Sequence, residues 1–82
     1  MLAYALIKVP AKHLDGVLER LRTFDGITEA SVVYGESDII AKLEVANQDE
    51  LDELIIRRIQ DLPQVEATRT FIAVGGMHWK RN

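Results

Sequence analysis

Apolar residues run almost unbroken from Leu2 to Val9, with Lys8 as the one charge and Pro10 behind it, and this run predicts a buried strand over residues 2–9. Over residues 12–24, Leu14, Val17, Leu18 and Leu21 return at helical spacing while Asp15, Glu19, Arg20 and Arg22 fall largely on the other side. That is an amphipathic helix, ended by Asp25-Gly26. Residues 27–34 are β-rich, with Thr28, Ala30, Val32 and Tyr34 alternating against Glu29, Ser31 and Val33. After a turn at residues 35–37, residues 38–46 set Ile39, Ala41, Leu43 and Val45 against Lys42 and Glu44, completing a hairpin. Asn47 stands three residues before Glu50, the spacing of a capping box, and Leu51, Leu54, Ile55 and Ile59 carry a second helix to about Leu62-Pro63. A long β-type segment covers residues 65–74. Gly75-Gly76 then uncouples a tail, expected to be mobile unless a partner takes Trp79.

The order is βαββαβ, two similar units joined head to tail. Right-handed crossovers then favour a ferredoxin-like α+β fold, a four-stranded antiparallel sheet with both helices on one face. Two helices leave the other face bare. The first strand is apolar on both sides, with Ala3, Ala5, Ile7 and Val9 on one and Leu2, Tyr4 and Leu6 on the other, while Phe71 opposes Ile72 and Val74 in the last. One apolar set would face water in a monomer, and patches of more than a few hundred Å² (roughly) are uncommon on soluble monomers. The bare face is therefore the predicted interface of a dimeric α/β sandwich, unless strand twist shields both sets.

Composition strengthens that expectation. The chain has 82 residues, 48% of them hydrophobic, and no cysteine. This fits one small domain, residues 1–74, followed by the tail, residues 75–82, with no disulfide or thiolate metal site to reinforce a marginal core. Net charge is −3 and the pI is near 5.3, with no basic stripe to follow phosphates, so direct nucleic-acid contact is not expected. The first apolar run is too short to span a bilayer and lacks a cleavage-like signal. No membrane association is expected, and the expected location is cytoplasmic.

Candidate chemistry gathers around the hairpin. Gly35, Glu36, Ser37 and Asp38 form a glycine-acid turn of the kind that can offer backbone N–H groups to a carboxylate, and Thr68 and Thr70 echo it downstream with two hydroxyls. A free amino acid needs such groups. The plainer reading is a hairpin connection in which Gly35 supplies a positive φ and Asp38 bonds the local backbone, with the threonines following β-propensity. Glu36 and Asp38 have no nucleophile or histidine nearby in sequence, so an acid/base pair is not expected. His13 and His78 lack metal-ligand spacing and read as surface residues, so neither metal nor cofactor is implied. Asp49, Glu50, Asp52 and Glu53 suit the positive end of the second helix without any ligand.

The segment Val32-Val33-Tyr34-Gly35-Glu36-Ser37-Asp38-Ile39-Ile40-Ala41-Lys42-Leu43, the helix Asp49-Glu50-Leu51-Asp52-Glu53-Leu54-Ile55 and the last strand with Thr68-Arg69-Thr70 resemble the regulatory (RAM) domain of the Lrp/AsnC transcription factors. The similarity runs from about Met1 to Val74. It looks like the stand-alone form, without the helix-turn-helix half that normally precedes the domain. What the resemblance implies is a homodimer made by facing sheets, dimers closing into a higher-order ring, and a small-molecule effector, often an amino acid, bound where dimers meet. Carried onto matching positions, it points to Gly35, Glu36, Ser37, Asp38, Thr68 and Thr70, with Tyr34 and Ile72 as apolar walls. Ser37 departs from the aromatic residue that commonly precedes the family's loop aspartate.

The function expected is a non-enzymatic sensor of a small amino acid or related metabolite. Two alternatives stand beside it: a small dimeric monooxygenase-like enzyme sharing the strand order, which fold similarity alone supports weakly, and an assembly partner that joins full-length Lrp/AsnC regulators without sensing anything.

Overall fold

The computed structural model describes residues 1–35 and 38–82. Strand β1 (Leu2–Lys8) shows why one face is closed: Ala3, Ala5 and Ile7 are fully buried, while Leu2, Tyr4, Leu6 and Lys8 alternate with them on the other side and stay half-buried. Val9 is also buried, but the strand stops one residue short of the predicted end, next to Pro10, which has no N–H to continue a ladder. A 3-10 turn at Ala11–His13 leads into α1 (Leu14–Arg22), shorter than the predicted 12–24 because Pro10 O closes the first turn on His13 N at 2.9 Å. Val17 and Leu21 face inward. At the other end Thr23 Oγ1 donates to Arg20 O at 2.7 Å, taking up a carbonyl of the last turn.

Strand β2 (Ile27–Val33) departs from the simple alternation read in the sequence. Its pairing slips between Ile27, opposite Leu43, and Glu29, opposite Lys42, so Thr28 is the extra residue of a bulge and Ile27 and Ala30 both face the helices. Tyr34 lies beyond the strand. Strand β3 (Asp38–Glu44) has the predicted phase, with Ile39, Ala41 and Leu43 fully buried, although it ends two residues early.

Helix α2 starts at Gln48–Asp52 through the expected box: Asn47 Oδ1 accepts from Glu50 N at 2.9 Å, and Glu50 Oε2 accepts from Ala46 N at 2.9 Å. It then widens into a π-helix over Glu53–Ile59, ending with Gln60 N bonded to Ile55 O. The last strand, β4 (Ala67–Ile72), is shorter than the predicted 65–74, but Glu66 N donates to Lys8 O and Ala73 N to Leu2 O just outside it.

The strands lie in the order β2-β3-β1-β4, all neighbours antiparallel. Ala3, Ala5, Ile7, Ile39, Ala41 and Leu43 from the sheet pack with Val17, Leu21, Leu51, Leu54, Ile55 and Ile59 from the helices in one core. Each fully buried Leu, Ile or Val contributes about 1.5–3 kcal/mol relative to exposure, which fixes which face the helices occupy. This is the ferredoxin-like α+β arrangement. Among the described residues no helix is long and apolar enough to cross a membrane.

Candidate functional site

On the face opposite the helices, strand register places Leu6 beside Ile40, and Tyr4 beside Lys42 on one flank and Phe71 on the other. Ile40 is 41% and Phe71 53% exposed. With residues Tyr4, Ala5 and Leu6 they line an apolar recess of about 380 Å³. The Arg69 guanidinium stands 5.8 Å from the Phe71 ring centre, and Asp38, Lys42 and Glu44 are also on this side of the sheet.

Asp38, with Gly35 and Tyr34 near it in the chain, is at one end of that face. Gly35 adopts φ +146, left-handed backbone that an L side chain rarely takes, and a Cβ built there would lie 3.6 Å from Asp38 Oδ2. Tyr34 is fully exposed, and Asp38 is half-buried, paired across the sheet with Val33 and Lys8. Glu36 and Ser37, both predicted for the site, lie outside the described residues.

Thr68, Thr70 and Ile72 form a second group. Their partners on β1 are the buried Ile7, Ala5 and Ala3, so they point to the helix side of the sheet. Helix packing covers β1 and β3 and leaves this side of the edge strand open: Thr70 and Ile72 are exposed, Thr68 half-buried. Gln60, at the end of the π-helix, donates from Nε2 to Thr68 Oγ1 at 2.7 Å. Gln60, Val65, Glu66, Ala67 and Thr68 line an open cleft of about 330 Å³. No sequence pattern marked Gln60, because it follows the last apolar position of its helix and belongs to no motif.

The predicted residues thus fall into two clusters on opposite faces. Asp38 and Ala67 share a row on the open face, with Lys8 between them, and Thr68 is in the next row on the helix face. Two strand spacings, about 10 Å, separate β3 from β4. Within one chain a small ligand therefore does not reach both Asp38 and the threonine hydroxyls.

A larger cleft than these two, about 540 Å³, is at the other end of the sheet, where Gly26, Val45 and Leu54 meet Asp25, Glu44 and Glu53. Glu50, also in its lining, is committed to the helix cap. No group of three His, Cys, Asp or Glu among the described residues is placed to hold a metal ion.

Comparison with known proteins gives a consistent picture. The family model described as the Lrp/AsnC ligand binding domain matches residues 2–77. The chain is 32% identical over 74 residues to the HTH-type transcriptional regulator FL11 of Pyrococcus horikoshii, a match covering 90% of this chain and 48% of that protein. It spans about half the length of such curated relatives. Among solved structures, FFRP-DM1 superposes with a TM-score of 0.84 at 36% identity, covering 89% of this chain and 97% of the other. A hypothetical protein of Pyrococcus horikoshii, PHS023, does so with a TM-score of 0.82 at 33% identity, covering 99% and 98%.

Proposed function

This chain belongs to the Lrp/AsnC ligand-binding domain family, and from that premise we propose that it is a non-enzymatic effector-binding module of amino-acid-responsive transcriptional regulation. Its effector is a small amino acid or related metabolite, held between copies of the chain. The observation that carries this reading is the separation of Asp38 from Thr68 and Thr70 on opposite faces of one sheet. A ligand that uses both needs two chains, the hairpin of one set against the edge strand of another.

In the proposed site the effector's carboxylate lies on backbone N–H groups of the hairpin connection and its ammonium against Asp38. Thr68 and Thr70 hold the polar part of the side chain, and Tyr34 and Ile72 wall it. Glu36 and Ser37 belong to this proposal on sequence grounds.

Assembly starts from the bare sheet face. The recess between Tyr4, Leu6, Ile40 and Phe71 takes the same face of a second copy, and the charges near it, of both signs, suit a two-fold pairing. Dimers then close into a ring that brings hairpins to edge strands, and full-length relatives with the same domain are candidate partners in mixed rings. Effector binding biases assembly because the site is shared across subunits. The aliphatic packing between sheet and helices suits this reading better than the monooxygenase-like alternative, which needs a polar and aromatic chamber there.

Calorimetry with a panel of free amino acids, beside native mass measurement with and without each, tests the proposal. Asp38→Ala is expected to weaken binding by about tenfold or more, the loss of one charge-assisted contact. Unchanged affinity in that variant would remove Asp38 from the site.

A further inference from the structure

Gln60 donates from Nε2 to Thr68 Oγ1 at 2.7 Å, and its own backbone N–H is bonded to Ile55 O at 2.9 Å at the end of the π-helix. Side chain and backbone of this residue are both tied down. A threonine hydroxyl has one proton and two acceptor positions. With the Gln60 amide donating into its oxygen, the Thr68 hydroxyl keeps its own proton for an acceptor other than Gln60 Nε2.

We propose that Gln60 sets the effector's side-chain class by fixing that proton, so that the Thr68 cleft takes an amino acid whose side chain ends in a carboxamide. The inference rests on the reading that the effector contacts Thr68. Glu66, just ahead of β4, lines the same cleft. An ionised carboxylate only accepts hydrogen bonds. The cleft therefore presents one donor and one acceptor close together, with Val65 as its apolar neighbour.

A carboxamide answers both groups, its carbonyl taking the Thr68 proton and its NH2 donating to Glu66. A carboxylate side chain satisfies Thr68 but sets its second oxygen against Glu66. An ammonium or guanidinium suits Glu66 but meets the Thr68 proton with another donor. An aliphatic end leaves both polar groups without a partner once water is displaced. Each mismatch weakens binding by roughly tenfold once a second chain closes over the cleft and water no longer reaches the group left unpaired. Gln60 acts through Thr68 and is a positioning residue.

Calorimetric titration of the full chain with L-asparagine, L-glutamine, L-aspartate, L-glutamate, L-leucine and L-lysine is the test. One carboxamide is expected to bind at least about tenfold more tightly than its matching acid and than leucine or lysine. Glu66→Gln should bring the matching acid to within about threefold of the carboxamide, since the repulsion is gone. Thr68→Val should weaken the carboxamide by about tenfold, and Thr68→Ser, which keeps the hydroxyl, should recover most of it. Gln60→Glu offers Thr68 acceptors only, turns the proton back into the protein, and should cost the carboxamide about tenfold. An acidic, cationic or aliphatic amino acid binding as tightly as the carboxamides, or an unchanged affinity profile in Gln60→Glu, overturns the inference and leaves the effector-binding reading standing. No heat from any of the six, with assembly mass also unmoved, overturns both.

Discussion

Gly26 has φ +96, and a Cβ there would come within 3.1 Å of Leu54 Cδ2 and 3.2 Å of Val45 Cγ1, so both backbone and space demand glycine. Gly26→Ala is expected to destabilise the fold by about 1–3 kcal/mol, measured as a lower denaturation midpoint with unchanged slope, and a shift within error would contradict the contact. Residues of this kind are legible in sequence because Asp-Gly after an apolar helical run has few other uses. Asn47 was legible for the same reason, since its side chain and that of Glu50 act locally within one turn. Gln60 was not, because its hydrogen bond to Thr68 joins two elements whose meeting only the folded chain determines. The same gap affected the predicted site. Thr68, Thr70 and Ile72 share a strand face by simple alternation, whereas their placement on the face opposite Asp38 depends on the registers of β3 and β4 against β1.

Element type was readable throughout, and the errors were in the ends and in two local irregularities. The order of strands and helices follows from apolar spacing at two periods, 2.0 and 3.6, and every strand and helix predicted from it is present. The bulge at Thr28 escaped because residues 28–34 read as one regular alternation, and only the pairing with β3 shows that one extra residue brings Ile27, three positions from Ala30, to the same face. The π-helix over Glu53–Ile59 escaped because Leu51, Leu54, Ile55 and Ile59 fit an ordinary helical stripe, and one extra residue per turn leaves that stripe nearly unchanged. Asn47→Ala removes the acceptor for Glu50 N and is expected to cost about 1 kcal/mol, read by chemical denaturation, with the loss confined to the start of α2 by faster amide exchange there. A uniform rise in exchange across the sheet would argue for a wider role than capping.

At the scale of the molecule, the sheet is sealed by helices on one side and carries Tyr4, Leu6, Ile40 and Phe71 on the other. An interface that is stable in solution buries at least about 1,000 Å² in total, more than these four side chains supply from one copy, so the whole face is engaged. Leu6→Glu puts a carboxylate at its centre and is expected to yield folded monomers at micromolar concentration, seen as halved or smaller mass in sedimentation with the circular dichroism of the parent. A parent-sized assembly in that variant would move the interface elsewhere. The larger claim is that the effector site is complete only between chains, and mixing two inactive variants addresses it directly. Asp38→Ala and Thr70→Val chains, each weakened in binding, are unfolded together, refolded as mixed assemblies and titrated at a concentration of the amino acid that fills the parent's sites but not those of either variant alone. A site shared between chains regains binding at about a quarter of positions, where an intact hairpin meets an intact edge strand by random pairing. A site contained within one chain regains none, and that result would contradict the account.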